Sequence, residues 1–592
     1  MARVLRRTGS LAWKHQPVRL VILILLSIVT GAISYLQNGL FARLIDATIA
    51  YTQSGTGLRI VFITAGLLIG AGAVPSVVGI IDTFVDTTFR FNFITQLDLY
   101  FFGKISLLDV ATVESSRYQE LMQKANERGT SILYNFLSAL IDNFSNLIGV
   151  GVSLGILAFI DRPLLLYAFL GALPGLYAQL RYGKDIYWIW DLNANNRRKY
   201  FNRRGHFYGV TDLSELKLYQ LGARFLKEIR LILESFDDEL KGIERQKLAS
   251  ELLALIASVV FLGLGMWRIV GLALSGAIPI GQMLFAYTTY RGFQGTLQSL
   301  FRRSANIAEF ANYAEYWFDV SDLEPAIRTL PGASLVERGS KPPRIEFRNV
   351  SFRYSPVAEA YAVRRLSITI EPGQKVAIVG LSGAGKTTFI KLLCRVYDPE
   401  EGEVLVDGKN LKELDLESWQ RQIGILFQDF ATYEFPVREA IAISDTERPF
   451  DENRMLQAAR MAKADDFIER LPKKYDQLLW KGFEDGVDLS KGEKQRMALA
   501  RVLYRESPIT ILDEPTASVD ALAEQDIFNT LERLPDTRTV ILISHRFSTV
   551  KHADTILVIE HGKLIEQGTH DELMQQGGRY AELYKIQAES YA

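Results

Sequence analysis

Eight residues, Gly380-Leu381-Ser382-Gly383-Ala384-Gly385-Lys386-Thr387, carry the residue types and spacing of phosphate chemistry. Glycines let backbone N–H groups turn inward around an anion. The apolar run Val376–Val379 before them reads as a buried strand, and Thr388 to Leu393 after them as the start of a helix. The helix N-terminus adds its positive dipole end. Lys386 can reach β- and γ-phosphates, and the Thr387 hydroxyl can ligate Mg²⁺. A glycine-rich turn that binds nothing is the bland alternative; Lys-Thr and the correct flanks count against it.

Two further strand ends carry reactive groups. Ile509-Thr510-Ile511-Leu512 runs into Asp513-Glu514-Pro515. A carboxylate ending a buried strand beside a phosphate loop suits Mg²⁺ coordination, which assigns Asp513. Glu514, one residue on, is placed to orient or deprotonate a water attacking the γ-phosphate. Thr539 to Ile543 ends in Ser544-His545; alone, His545 is a strand-end histidine. Ile345 to Phe347 and Ser351 to Tyr354 look like strands, and Tyr354 can stack on a purine.

These groups need an α/β scaffold, and the chain of 592 residues is too long to be that domain alone. Net charge is −1, which gives no global case for nucleic-acid binding. Cys394 is the only cysteine, so intrachain disulfides and cysteine-based metal clusters are excluded. The long apolar runs lie before about residue 305. They cover about Leu20–Leu36, Ile60–Ile81, Phe136–Ile160, Leu164–Leu180, Leu252–Leu274 and Ile278–Leu300, the fourth short and the sixth polar. Each is near the ~20 residues that span a bilayer, so six spans are expected. The first apolar run is too long for a signal peptide and has no small-residue cleavage site close behind it.

Arg3, Arg6, Arg7, Lys14 and Arg19 precede the first run without an acid, and the connection Arg181–Ser250 is rich in Lys and Arg. The opposite connections, near Ala50–Leu58, Asp161 and Gly271–Ala277, are short and carry little net charge, so both termini are expected in the cytoplasm. The stretches Asp82–Arg128 and Arg181–Lys247 are too polar for lipid yet keep helical periodicity, each with a break, at Asp109–Arg117 and about Asp212–Gly222. Within spans, Asp142, Arg268, Tyr287, Arg291 and Gln294 are candidate substrate-pathway residues. The competing reading is a structural pair of Asp142 with Arg268 or Arg291. Asp82, Asp86 and Arg90 recur every four residues and are expected to pair along their own helix. The expected domains are a membrane domain over 1–322, a Pro-rich linker over 323–343 and a soluble α/β domain over 344–592.

The ordered motifs resemble those of the ABC transporters, specifically an exporter-type half-transporter, and the resemblance covers essentially the whole chain. Tyr354 matches the adenine-stacking aromatic, GLSGAGKT Walker A, and LFQDF with Gln428 the Q-loop. LSKGEKQR from Leu489 matches the signature, ITILDEP Walker B, ASVD ending at Asp520 the D-loop, and ISHR with His545 the switch histidine. The resemblance implies a multidomain fold, an all-α polytopic membrane domain followed by an α/β P-loop ATPase. It implies ATP and Mg²⁺ as cofactors. ATP would contact Gly380, Ser382, Gly383, Gly385, Lys386, Thr387 and Thr388; Thr387, Gln428 and Asp513 would face the metal. Glu514, Gln428 and His545 would serve hydrolysis. Ser490, Gly492 and Asp520 would act across a dimer, because one chain has one membrane half and one ATPase half.

A homodimer is favoured over a heterodimer, since one chain carries every hydrolytic group. The expected function is an ATP-driven exporter, multi-pass in a prokaryotic cell membrane. A lipid flippase, an importer of exporter fold and an ATP-gated channel are the alternatives. One departure stands out: the family's LSGGQ is LSKGE here, so Lys491 and Glu493 replace the usual residues.

Overall fold

The structure is a computed structural model describing residues 1–192, 194–337, 341–355, 360–515, 537–544, 546 and 550–591. Two compact units divide the chain. One holds Met1–Leu107 and Ser115–Leu323; the other holds Leu108–Glu114 and Glu324–Ala592.

The helices of the first half are α1 (Ala2–His15), α2 (Pro17–Ser54), α3 (Leu58–Ile105), α4 (Val110–Glu114), α5 (Ser116–Arg128), α6 (Ser131–Ile160), α7 (Arg162–Leu192), α8 (Ala194–Gly205), α9 (Val210–Leu218), α10 (Gly222–Leu274) and α11 (Ile280–Ser321). Pro17 opens α2 where its missing N–H costs nothing, and Gly55 ends it in the left-handed region at φ 68°. Five of the six apolar runs read from the sequence lie inside one of these helices, and the sixth begins two residues before α11. Four of them, α2, α3, α6 and α10, are long and apolar enough to cross a membrane. Among the described residues, α7 and α11, which hold the shorter and more polar runs, fall below that measure. At 48 residues α3 is roughly 70 Å long, over twice the ~30 Å hydrocarbon core. The polar continuation after Ile81 is therefore the same helix, as its periodicity predicts.

Side chains tie these helices together. On α1, Val4, Thr8 and Ala12 share one buried face at fourfold spacing. Arg7 donates to both oxygens of Asp322 at 2.5 and 2.8 Å and lies 4.2 Å from the Phe318 ring centroid. Arg3 donates to Asp319 and Asp322. The N-terminal helix is thus clamped to the C-terminal end of α11. Asp86 takes its hydrogen bond from Tyr134 Oη of α6. That corrects the expected pairing along α3: a hydroxyl on the facing helix reaches both carboxylate oxygens.

The second unit contains two sheets. Its strands are β1 (Ile345–Phe352), β2 (Val363–Ile370), β3 (Lys375–Val379), β4 (Glu401–Val406), β5 (Lys409–Asn410), β6 (Ile423–Leu426), β7 (Ile509–Asp513), β8 (Thr539–Ile543), β9 (Thr555–Glu560) and β10 (Lys563–Gly568). The two short strands expected near Ile345 and Ser351 are one strand, β1, with register shifts after Phe347 and Val350. An antiparallel sheet has the order β2-β1-β4-β5, and the larger sheet β10-β9-β3-β8-β7-β6. In the larger sheet β9, β3, β8, β7 and β6 run parallel and β10 is an antiparallel edge. Parallel strands are covered on both faces, which is why β7 and β8 are buried at every position.

The described helices here are α12 (Lys386–Leu393), α13 (Leu416–Gln420), α14 (Val437–Ala442), α15 (Glu452–Met461), α16 (Asp465–Ile468), α17 (Lys491–Arg505), α18 (His570–Gln576) and α19 (Arg579–Tyr591). One apolar core joins the two sheets around α12, with Phe389 stacked on Phe347. A second joins α14, α15 and α17 to the sheet through Leu426, Leu512 and Leu542. The Pro-rich stretch expected as a linker is hydrogen-bonded down within this unit: Ser334 N–H donates to Glu413 O, and Val336 N–H to Ser418 Oγ.

Candidate nucleotide site

The phosphate loop lies between β3 and α12, where the sequence places it. Gly385 adopts φ 106°, and a Cβ there would come within 2.5 Å of Ala362 O. At Gly380 a Cβ would come within 2.2 Å of Ile559 O. Backbone packs where side chains would be, so both positions require glycine. Lys386 is buried and its Nζ donates to Gly380 O at 2.7 Å and Leu381 O at 3.0 Å, which folds the side chain back across its own loop. Burial pushes its ammonium below the ordinary lysine value, against the pull of Glu514 and Asp513.

Parallel pairing of β7 with β8, and of β8 with β3, brings the carboxylates beside this loop. Thr387 Oγ1 lies 3.4 Å from Asp513 Oδ2. These are two hard oxygen donors side by side, the donor chemistry that Mg²⁺ takes. Burial, with the neighbouring Glu514 charge, raises the Asp513 carboxyl to about 6. Glu514 follows at φ 50°, a left-handed conformation that is costly for a residue with a Cβ. Hydrogen bonds to described residues hold it. Its N–H donates to Ile543 O at 2.9 Å, its carbonyl accepts from Gln495 Nε2 at 2.9 Å, and its Oε2 accepts from Gln428 Nε2 at 3.3 Å. The structure therefore brings together Lys386, Thr387, Asp513, Glu514 and Gln428.

Tyr354 lies half exposed just beyond β1, its hydroxyl 3.0 Å from Thr388 Oγ1. Lys391 Nζ is 5.3 Å from the Tyr354 ring centroid and 5.5 Å from that of Tyr397. Lys391 also pairs with Glu114 of α4 at 3.2 Å, and Tyr397 donates to the same carboxylate. The sequence reading missed Gln495, Lys391, Tyr397 and Glu114, because each acts through the tertiary fold. Ser490 is the N-cap of α17, and its side-chain hydrogen bonds run to Glu493 in its own turn. The Ser-x-x-Glu spacing of a capping box was the signal for that contact. Gly492 lies one residue before Glu493 in the same turn. Asp520 and His545 lie outside the described residues.

The membrane-domain candidates do not converge. Asp142 pairs with Arg303 of α11, not with Arg268 or Arg291, and Asn143 Nδ2 donates to Ser304 Oγ beside it. Arg268 pairs at 2.9 Å with Asp161, in the connection between α6 and α7. A guanidinium reaches the nearest carboxylate, and here that lies at the helix ends. Arg291 is exposed and Tyr287 half-buried. Gln294 is buried against α7, where a Cβ on Gly171 would meet its amide, and its Nε2 has no hydrogen-bond partner among the described residues.

A P-loop α/β ATPase carried behind a bundle of long apolar helices is the class that this fold and site define. Residues 363–517 match the family described as ABC transporter. The chain is 30% identical over 501 residues to the ABC transporter ATP-binding protein YfiC of Bacillus subtilis (strain 168), covering 82% of this chain and 79% of that one. It is 27% identical over 574 residues to the subtilin transport ATP-binding protein SpaT of Bacillus subtilis, covering 96% and 91%. To an ATP-dependent lipid A-core flippase of Syntrophus aciditrophicus it is 40% identical over 274 residues, 46% of this chain and 44% of that one. The solved structure of a bacterial Atm1-family ABC exporter with ATP bound aligns at TM-score 0.78 and 26% identity, covering 99% of both chains. The chain belongs to the ABC transporter family. It is an ATP-driven half-transporter of exporter type, integral to a membrane, and its family generally works as dimers.

Proposed function

We propose that the site binds ATP with Mg²⁺ and hydrolyses it through Glu514, in a homodimer that switches a transmembrane cavity between two openings. The observation that carries this reading is the cluster of Lys386, Thr387, Asp513, Glu514 and Gln428 at adjoining strand ends. Lys386 and the loop amides of Gly380, Ser382, Gly383 and Gly385 hold the phosphates, with Thr388 beside them. The side chains of Thr387, Asp513 and Gln428 would hold the metal, which would supply neutralising charge for the phosphates. Glu514 orients or deprotonates the attacking water, and the Gln428 amide aims its carboxylate. Tyr354 stacks on the adenine; Ser490 and Gly492 of the partner copy close on the γ-phosphate. Asp520 and His545 complete the set by family position.

Six spans, with both termini cytoplasmic, fit the basic N-terminal segment and the Lys- and Arg-rich connection Arg181–Ser250. The carboxylate assignment is tested with Glu514→Gln in the full chain in lipid. Steady-state hydrolysis is expected to fall at least about 100-fold with ATP still bound, the scale of a lost general base. Hydrolysis near the wild-type rate would overturn the assignment.

A further inference from the structure

We propose that Glu493 is a positioning residue that decides when the Ser490 hydroxyl meets a nucleotide phosphate, and that Lys491 offsets its charge. This rests on the reading of Ser490 as phosphate-facing. A serine hydroxyl has one proton to donate. Here that proton goes to Glu493 Oε2 at 2.8 Å, and the same oxygen accepts the Ser490 N–H at 2.8 Å. The Glu493 N–H in turn donates to Ser490 Oγ at 3.3 Å. Both sides of the hydroxyl are committed within the first turn of α17. To donate to a phosphate oxygen, the O–H must swing away from an ionised acceptor. Such a bond is stronger than the one a neutral amide would make. The carboxylate also brings a full negative charge to the place where a phosphate would arrive.

Glutamine at 493 would keep the cap, since its carbonyl can still take the Ser490 N–H. It would remove only the charge and its hold on the proton. The neighbouring cations differ. Lys494 is engaged by Asp488 at 2.8 Å. Lys491, the first residue of α17, is exposed and has no ion pair among the described residues. Positions 491 and 493 thus carry opposed charges on one turn, one attracting a phosphate and one withholding the serine from it.

The test measures ATPase rate against ATP concentration for the full chain in proteoliposomes. Glu493→Gln should lower the half-maximal ATP concentration about tenfold, the difference between a charged and a neutral hydrogen bond. Lys491→Gly should raise it, and the double variant should return close to the parent. In a Ser490→Ala background Glu493→Gln should lose most of its effect, keeping only the part due to charge repulsion, a result that a purely structural cap would not give. An unchanged half-maximal concentration in Glu493→Gln, or a shift that persists undiminished without Ser490, overturns the inference. If Ser490→Ala alone changes neither that concentration nor the maximal rate, the phosphate-facing reading of Ser490 fails instead.

Discussion

Gly385 sits where backbone conformation and space both exclude a side chain. Gly385→Ala should cost about 1–3 kcal/mol, the scale of a strained backbone position, and weaken ATP binding. Thermal unfolding and nucleotide titration of the one variant read both. Lys386→Ala should weaken ATP binding with little loss of stability, because it removes a buried cation whose hydrogen bonds among the described residues are to its own loop. Unaltered affinity would contradict the phosphate role. Gln495→Leu tests a residue that no motif announced. It removes the donor to Glu514 O, so the left-handed turn loses that tie. The maximal rate should fall with the half-maximal ATP concentration nearly unchanged. Lys386, Thr387 and Asp513 were legible because strand, loop and helix fix them locally. The conformation of Glu514 was not, since it depends on a carbonyl of β8 and an amide of α17, both far off in sequence.

Among elements, α4 is only five residues long and relies on its ties. Asp109 caps it, accepting from Thr112 N–H and Oγ1 and from Ala326 N–H at 2.7 Å. Burial alone would raise this carboxyl, but those hydrogen bonds outweigh it and hold it below the ordinary aspartate value. The stability it contributes is therefore present above the unfolded-state value, ~3.9, and is lost as pH falls through the lower folded one. Asp109→Ala should speed exchange of the amides of Thr112 and Ala326 about tenfold at neutral pH, as expected for a lost charged hydrogen bond. Equal exchange in parent and variant would show that the cap contributes nothing.

The long helices were legible from apolar runs, and the break near Asp109 marks α4 correctly. The membrane-domain pairs were not legible: fourfold spacing suggests partners along one helix, whereas Tyr134 and Arg303 come from helices that fold alongside. The fold of the linker was equally hidden, because proline content marks a stretch without periodicity and says nothing of the turn and short helix it bonds to.

At the scale of the molecule, topology and assembly can be read with thiols. Cys394, the only native one, is buried and pushed up to about 12, so it contributes little background. An impermeant reagent on intact cells should label Ser54→Cys and not Ser10→Cys; the reverse would place both termini outside. A chain carrying Ser382→Cys and Ser490→Cys should cross-link to dimer size when ATP is bound, and persistence of monomers would argue against the shared site. The length of α3 has a mechanical consequence. A straight rod of roughly 70 Å pivoting at its middle displaces each tip by about 0.6 Å for every degree of tilt. Pro75 stands inside that rod, roughly 25 Å from its start, and removes one rung of the hydrogen-bond ladder there. A small rotation on one side of that compliant point is a large excursion at the far end, so leverage is built into the helix by its length alone.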